Sequence, residues 1–359
     1  MMQVSLRQTV PIPLAVEFSV GANELLALIG PSGSGKTTVL RTIAGLSRPQ
    51  NGRINSNGEV WLDTLAGINL SPQRRSVGLV FQDYALFPHL SALETVALAV
   101  PSSDRQQKLQ QARQWLAKVN LDGLEARRPA ELSGGQRQRV AIARALARNP
   151  AVLLLDEPFA AVDQMTRRRL KRELVSLRAQ LAIPIILVTH DLDEALALSD
   201  RMAVLSRGQL LQVGTPDQVR LAPLSPQVAR LVGETNIFSG TVEATGDADS
   251  PGRVRWAGGV IEAATGPSAI SQRVDWMVAA DHIVLHRRGR PALGDHENPV
   301  DGVITDVVAL GAQTAVTLTV GSDVTLNFQL PTHAARRNDV AVGAAATVSL
   351  LRGGIHVMT

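Results

Sequence analysis

The chain contains no cysteine, so disulfides and thiolate-bound metals are excluded. That absence fits a reducing compartment. Aromatic residues are 3% of the 359 positions, too few to interleave stacking rings with the basic side chains. No uninterrupted apolar stretch of about eighteen residues occurs, so no helix is expected to span a bilayer. The opening Met1-Met-Gln-Val-Ser-Leu-Arg7 lacks the apolar core of a secretory signal. Any work at a membrane is expected to run through a partner.

What is present suggests two domains, since 359 residues exceed one compact core and 45% apolar content can fill two. The formal charge of +4 comes almost entirely from arginine. Pairs such as Arg74-Arg75, Arg127-Arg128, Arg167-Arg168-Arg169 and Arg336-Arg337 are spread along the chain and read as solvated surface. No nucleic-acid partner is expected.

The first half alternates short apolar runs with helical patterns, as parallel strands covered by helices do. Strands are expected at 25–29, 77–81, 152–155 and 185–189. Helices are expected at 36–44, 103–119, 135–147, 165–182 and 192–198, with a short capped one starting at Thr215-Pro-Asp217. From 236 onward the text becomes short, Gly-punctuated and strand-like. Runs at 237–242, 253–256, 260–263, 275–278, 283–286, 300–308, 315–320, 324–328 and 346–351 suggest a small barrel or sandwich.

The most informative segment is Leu28-Ile-Gly30-Pro31-Ser32-Gly33-Ser34-Gly35-Lys36-Thr37-Thr38. It reads as a strand end, a G-x-x-x-x-G-K-T loop and a helix start, the pattern of a phosphate-binding P-loop. Gly30, Gly33 and Gly35 allow turns that bring successive N–H groups onto one anion. The helix beginning near Lys36 adds the positive end of its dipole. Lys36 is expected to reach the β- and γ-phosphates and the Thr37 hydroxyl to hold Mg²⁺. A second apolar run, Val152-Leu-Leu-Leu-Asp156-Glu157, ends in two carboxylates. A doubly buried strand would carry Asp156 to the sheet edge as a Mg²⁺ ligand, with Glu157 placed to polarise attacking water. Leu132-Ser133-Gly134-Gly135-Gln136 opens a long Arg-bearing helix and offers a second phosphate cradle.

On these three segments, which run along the chain in the family's order with 132–136 between the phosphate loop and 152–157, residues 1–235 resemble the ATP-binding cassette (ABC) ATPases, whose signature is Leu-Ser-Gly-Gly-Gln. The resemblance implies an α/β P-loop NTPase fold with a helical subdomain. It assigns Gly30 to Thr38 to ATP, Gln82 to sensing Mg²⁺ and the attacking water, and His190 to the γ-phosphate. Asp163 closes the D-loop, Phe159-Ala-Ala-Val-Asp163, where the family more often has Ser-Ala-Leu-Asp. A further departure is that no aromatic residue precedes Phe18, although members commonly stack adenine on one ahead of the P-loop. The resemblance also implies a homodimer, in which Ser133, Gly134, Gly135 and Gln136 of one copy close over ATP held by the other.

Phe81-Gln-Asp-Tyr-Ala-Leu-Phe-Pro88 looks like the permease-facing entrance of binding-protein-dependent importers, with Tyr84, Phe87 and Pro88 as candidate groove residues. The implied partners are a separate integral-membrane permease and, indirectly, a periplasmic or surface solute-binding protein. The implied location is the cytoplasmic face of a bacterial inner membrane. Residues 236–359 resemble the all-β TOBE or molybdate-binding-like regulatory domains of such subunits, of oligonucleotide-barrel type. Asp275-Trp-Met-Val-Ala-Ala-Asp281 looks closest to the molybdate version, with polyamine, ferric iron and sugar as alternatives. DNA-repair ATPases need a long coiled-coil insertion between the P-loop and Leu132, and translation ATPases usually carry two cassettes. Neither feature is found.

Overall fold

A computed structural model describes residues 1–160, 162–247, 249–286, 297–321 and 323–358. By contact the chain divides into Met1–Pro216 and Asp217–Thr359. The expected boundary was 235/236, so residues 217–235 group with the β-rich unit rather than with the first.

The first unit opens with β1 (Met2–Gln8), β2 (Leu14–Val20), β3 (Leu25–Ile29), α1 (Lys36–Ile43), β4 (Asn51–Ser56), β5 (Glu59–Asp63), β6 (Ile68–Asn69) and β7 (Val77–Val80). It continues with α2 (Ala92–Ala97), α3 (Arg105–Lys118), α4 (Gly134–Leu146), β8 (Val152–Asp156), α5 (Gln164–Arg178), β9 (Ile185–Val188), α6 (Leu192–Leu198), β10 (Arg201–Ser206) and β11 (Gln209–Gly214). All eleven strands lie in one sheet, ordered β6-β5-β4-β1-β2-β11-β10-β3-β9-β8-β7. From β10 to β7 the pairing is parallel. β11 pairs antiparallel with β10, and β2 meets β11 through a single register pair, Ala15 with Gln209.

The parallel strands are apolar throughout because helices cover both faces. Alternate side chains feed opposite cores. Leu153, Leu155, Ile185 and Leu187 pack with the buried faces of α3, α4 and α5. Val152, Leu154, Ile186 and Val188 pack with Val39, Leu40 and Ile43 of α1. Four consecutive strands in space, β3, β9, β8 and β7, therefore end on one edge. The residues following them are those singled out from the sequence, as expected where ligands bind outside the carboxyl ends of parallel strands.

The second unit holds two short helices, α7 (Pro216–Leu221, which begins at the division) and α8 (Pro226–Leu231), and then ten strands. These are β12 (Ile237–Ala244), β13 (Gly252–Trp256), β14 (Gly259–Ala263), β15 (Arg273–Val278), β16 (Ile283–Leu285), β17 (Glu297–Leu310), β18 (Gln313–Val320), β19 (Val324–Pro331), β20 (Ala345–Leu351) and β21 (Ile355–Met358), with α9 (Thr332–Arg337) after β19. They form two five-stranded antiparallel sheets that share one core, in which Phe238, Trp256 and Trp276 pack with ring centroids 4.9 Å apart. Two buried asparagines join the sheets. Asn236 exchanges two hydrogen bonds with the backbone of Asn327, and Asn298 bonds the backbone of Glu262 and Leu350. The architecture is the all-β, barrel-type domain expected.

Candidate functional site

The phosphate loop joins β3 to α1 and is shaped by close backbone approach. Gly30 sits at φ 146°, and a Cβ there would lie 2.0 Å from the Leu205 carbonyl oxygen. Gly35, at φ 102°, faces Leu14, where a Cβ would come within 2.7 Å of Cδ2. No side chain caps α1, so its first N–H groups are directed at the loop. Lys36 is buried, and its Nζ donates to the carbonyls of Gly30 and Pro31 at 2.8 and 3.0 Å. Burial lowers its pKa, while the Glu157 and Asp156 carboxylates oppose the shift. The Ser34 hydroxyl is buried without a hydrogen-bond partner among the described residues.

Arg75 corrects an expectation. Read as half of a solvated pair, it is 1% exposed. Its guanidinium donates to the Thr42 and Ile43 carbonyls, both at 2.7 Å, and also to Leu70 O and Asn69 Oδ1. A cation on the last carbonyls of α1 complements the helix dipole and fixes the far end of the phosphate-loop helix.

At the end of β8, Asp156 accepts from Thr37 Oγ1 at 3.2 Å. Burial raises the Asp156 pKa against the lowering effect of that bond. The next residue, Glu157, adopts φ 44°, left-handed for a non-glycine residue. Its N–H donates to Val188 O, and its Oε2 lies 3.2 Å from Nδ1 of His190, which follows β9. His190 is itself 61% exposed on its side chain, and its turn is held from below. Thr189 Oγ1 donates to the buried Glu194 at 2.7 Å and accepts from the Asp191 N–H. Asp191 caps α6 through the Glu194 N–H. Thr189 and Glu194 went unnoticed in the sequence, although Asp191-x-x-Glu194 is a helix-start pattern.

Gln82, after β7, borders a space of about 640 Å³ together with Thr37, Arg41, Asp83 and Asp156. Thr37, Asp156 and Gln82 supply hard oxygen donors, and a small octahedral cation that keeps several waters needs no more. Among the described residues, no cluster of three or more His, Cys, Asp or Glu offers a softer or more acidic site. The donor set fits Mg²⁺.

The signature residues lie elsewhere. Ser133 caps α4 in a reciprocal box, accepting from the Gln136 N–H while Gln136 Oε1 accepts from the Ser133 N–H. A Cβ on Gly135 would fall 2.7 Å from Thr166 Cγ2, so glycine lets α5 pack closely. Asp163 caps α5 through the Thr166 N–H. None of Ser133, Gly134, Gly135, Gln136 and Asp163 lines the space beside Thr37 and Asp156. Ala161, within the D-loop, lies outside the described residues.

An apolar groove of about 590 Å³ runs between β7, α2 and α4, lined by Phe81, Ala85, Phe87, Leu98 and Arg144 among others. Phe87 and Leu98 are half or more exposed there. Of the three expected groove residues only Phe87 lines it. Pro88 is exposed outside it, and Tyr84 is buried, with its hydroxyl turned inward to the Pro158 carbonyl. Phe18 packs in the core of the first unit.

Comparison with known proteins agrees with the fold. A family profile described as "ABC transporter" matches residues 14–160, and one described as "TOBE domain" matches 277–358. The sulfate/thiosulfate import ATP-binding protein CysA of Caulobacter vibrioides is 48% identical over 233 residues, 63% of this chain and 67% of that one. The spermidine/putrescine import ATP-binding protein PotA of Pseudomonas fluorescens is 36% identical over 354 residues, 96% and 91% of the two chains. Among solved structures, the ATP-binding cassette MJ0796, a dimer in a post-hydrolysis state bound to ADP and Pi, is 30% identical. It aligns with a TM-score of 0.52 over 60% of this chain and 99% of that one. The cbiO1 subunit from Clostridium perfringens, part of the ABC transporter complex cbiONQ, gives a TM-score of 0.54 at 27% identity, over 61% and 89%.

Proposed function

The chain belongs to the ATP-binding proteins of ABC transporters and is an ATPase, and from that premise we propose that it powers import of a small charged solute through a separate permease. The observation that carries the reading is the meeting of the phosphate loop, Asp156, Gln82 and the Glu157–His190 pair on one sheet edge, beside an apolar groove. Two copies close over two ATP molecules, each P-loop covered by Ser133 to Gln136 and flanked by Asp163 of the other copy. Thr37, Asp156 and Gln82 hold Mg²⁺, which neutralises phosphate charge when bound. Glu157 takes the proton of the attacking water. His190 and Lys36 hold charge on the transferred phosphoryl. The groove beside Phe87 receives a permease segment at the cytoplasmic face of the membrane. Among the described residues no helix is long and apolar enough to cross the bilayer itself.

The relatives do not favour the molybdate expectation. CysA, a sulfate/thiosulfate import protein, and PotA, a spermidine/putrescine import protein, support a sulfur oxyanion or a polyamine. Uptake at limiting concentration, compared between wild-type cells and cells carrying Glu157→Gln, separates them. Selective loss of sulfate and thiosulfate, or of spermidine and putrescine, names the cargo. Loss of molybdate alone would reinstate that solute, and unchanged uptake of every solute would overturn the import reading.

The missing aromatic ahead of the phosphate loop has its own consequence. Stacking on an aromatic ring contributes about 1–3 kcal/mol per base. Without it the triphosphate contacts dominate, and GTP is expected to be hydrolysed with kcat/KM within about tenfold of ATP. Parallel steady-state assays check this, and a preference above about a hundredfold would mean that another group reads the base.

A further inference from the structure

Tyr84 is the only tyrosine in the chain and is 3% exposed. Its hydroxyl donates to the carbonyl of Pro158 at 3.3 Å, across 74 positions of sequence. Two turns strained in the same sense meet at that bond. On one side Glu157 holds φ 44° immediately before Pro158. On the other, Tyr84 and Ala85 hold φ 64° and 43°. Left-handed backbone at non-glycine residues persists only where the surroundings over-determine it.

Those surroundings can be named. Arg144, on α4, donates from its guanidinium to the carbonyls of Tyr84 (2.8 Å) and Ala85 (2.5 Å), fastening the loop after β7. The Tyr84 N–H donates to Phe81 O. The Glu157 turn is tied by its own N–H to Val188 O and by the Ala160 N–H to Glu157 O. The Tyr84 hydroxyl thus joins a turn braced by Arg144 to the turn that aims the Glu157 carboxylate at His190. We propose that Tyr84 is a positioning residue for Glu157, holding the turn after β8 through the Pro158 carbonyl, with Arg144 as its brace. Tyr84 touches no reacting atom. It acts on where the Glu157 carboxylate sits, and Arg144, which also lines the groove, fixes where Tyr84 sits.

This inference rests on the reading of Glu157 as the base, and its test keeps the two apart. Tyr84→Phe removes one oxygen and keeps the packed ring. In the full chain it is expected to lower kcat for ATP about five- to tenfold, with KM for ATP changed less than twofold, the size of one lost hydrogen bond. A merely structural role would lower the melting temperature and leave kcat per folded molecule unchanged, which would overturn the proposal. Glu157→Gln is assayed beside it. If that variant keeps wild-type turnover, the base reading fails. If it is inactive while Tyr84→Phe is fully active, only the positioning role fails. Should Tyr84→Phe not fold, 3-fluorotyrosine incorporation gives a single fluorine resonance from the otherwise unaltered protein. That resonance is expected to move when ATP is added, and an unmoved signal with ATP bound overturns the proposal.

Discussion

Glu157→Gln lowers kcat for ATP hydrolysis by about 10²- to 10⁴-fold while ATP still binds, and the protein accumulates as an ATP-loaded dimer. The magnitude is that of a general base removed from a step that needs one. The substitution is nearly isosteric, and the turn that presents residue 157 is fixed by backbone bonds to Val188 and Ala160 that glutamine keeps. His190 loses a carboxylate partner at 3.2 Å but retains an amide oxygen. The phosphate loop, with Lys36 and the uncapped start of α1, is untouched. Binding and closure therefore survive, and hydrolysis, which would reopen the pair, does not. Light scattering with ATP and then ADP, together with a phosphate-release assay, checks both halves. A variant that turns over normally would remove Glu157 from the chemistry.

Lys36→Ala abolishes activity by the opposite route. In this structure the ammonium is already held among backbone carbonyls, bonded to Gly30 and Pro31. It is also close enough to Asp156 and Glu157 for their charge to oppose the burial that lowers its pKa. A buried cation kept beside the loop N–H groups can move onto phosphate oxygens at little cost in desolvation, because much of its hydration is already lost. Removing it deletes a charge-assisted contact in the ground state and a larger one as charge develops on the transferred phosphoryl. Nucleotide affinity is expected to fall about tenfold or more and kcat/KM by about 10³-fold. Unlike Glu157→Gln, this variant stays monomeric with ATP at concentrations that saturate the wild type. Equilibrium nucleotide binding and solution mass distinguish the two, and wild-type affinity in Lys36→Ala would contradict the placement of the ammonium.

Four strands of the parallel half are legible in the sequence, three of them because burial on both faces makes them unbroken apolar runs: Leu-Leu-Ala-Leu-Ile, Val-Leu-Leu-Leu and Ile-Ile-Leu-Val; the fifth, β10, is not among the expected strands although Met-Ala-Val-Leu is such a run. The chemical residues chosen from the sequence follow one of those runs, follow β7 in the case of Gln82, or open a helix. The antiparallel half was missed. β4 reads Asn-Gly-Arg-Ile-Asn-Ser, and β1 carries polar side chains at every second position, so neither forms an apolar run. β1 does alternate buried and exposed positions, and that period of two was readable. α5 was drawn too long, because the amphipathic pattern continues past Arg178, where the last turn bonds back to Leu177 and Arg178.

The supporting residues were harder to find. Arg75 and Arg144 are charged side chains that hold backbone carbonyls, and the buried Glu194 holds the Thr189 hydroxyl; a single sequence shows charge without showing what covers it. Tyr84, expected to line the groove, is buried instead, with its hydroxyl on the Pro158 carbonyl. Tyr84 itself and the following Ala85 are left-handed, and nothing in Asp-Tyr-Ala predicts φ above zero. The second unit was legible nearly strand by strand. Only β21, Ile-His-Val-Met at the end of the chain, was not anticipated.

The absence of cysteine provides the most direct test of the central claim, that one copy's signature closes over the other copy's phosphate loop. Ser32, in the loop, and Arg137, beside the signature, are both exposed. Ser32→Cys and Arg137→Cys, each made in the Glu157→Gln background, are purified separately, mixed with ATP and Mg²⁺, and mildly oxidised. The account predicts a covalent pair that joins one copy of each variant, forms with ATP and does not form with ADP. ATP bound to both variants without any ATP-dependent covalent pair would contradict it.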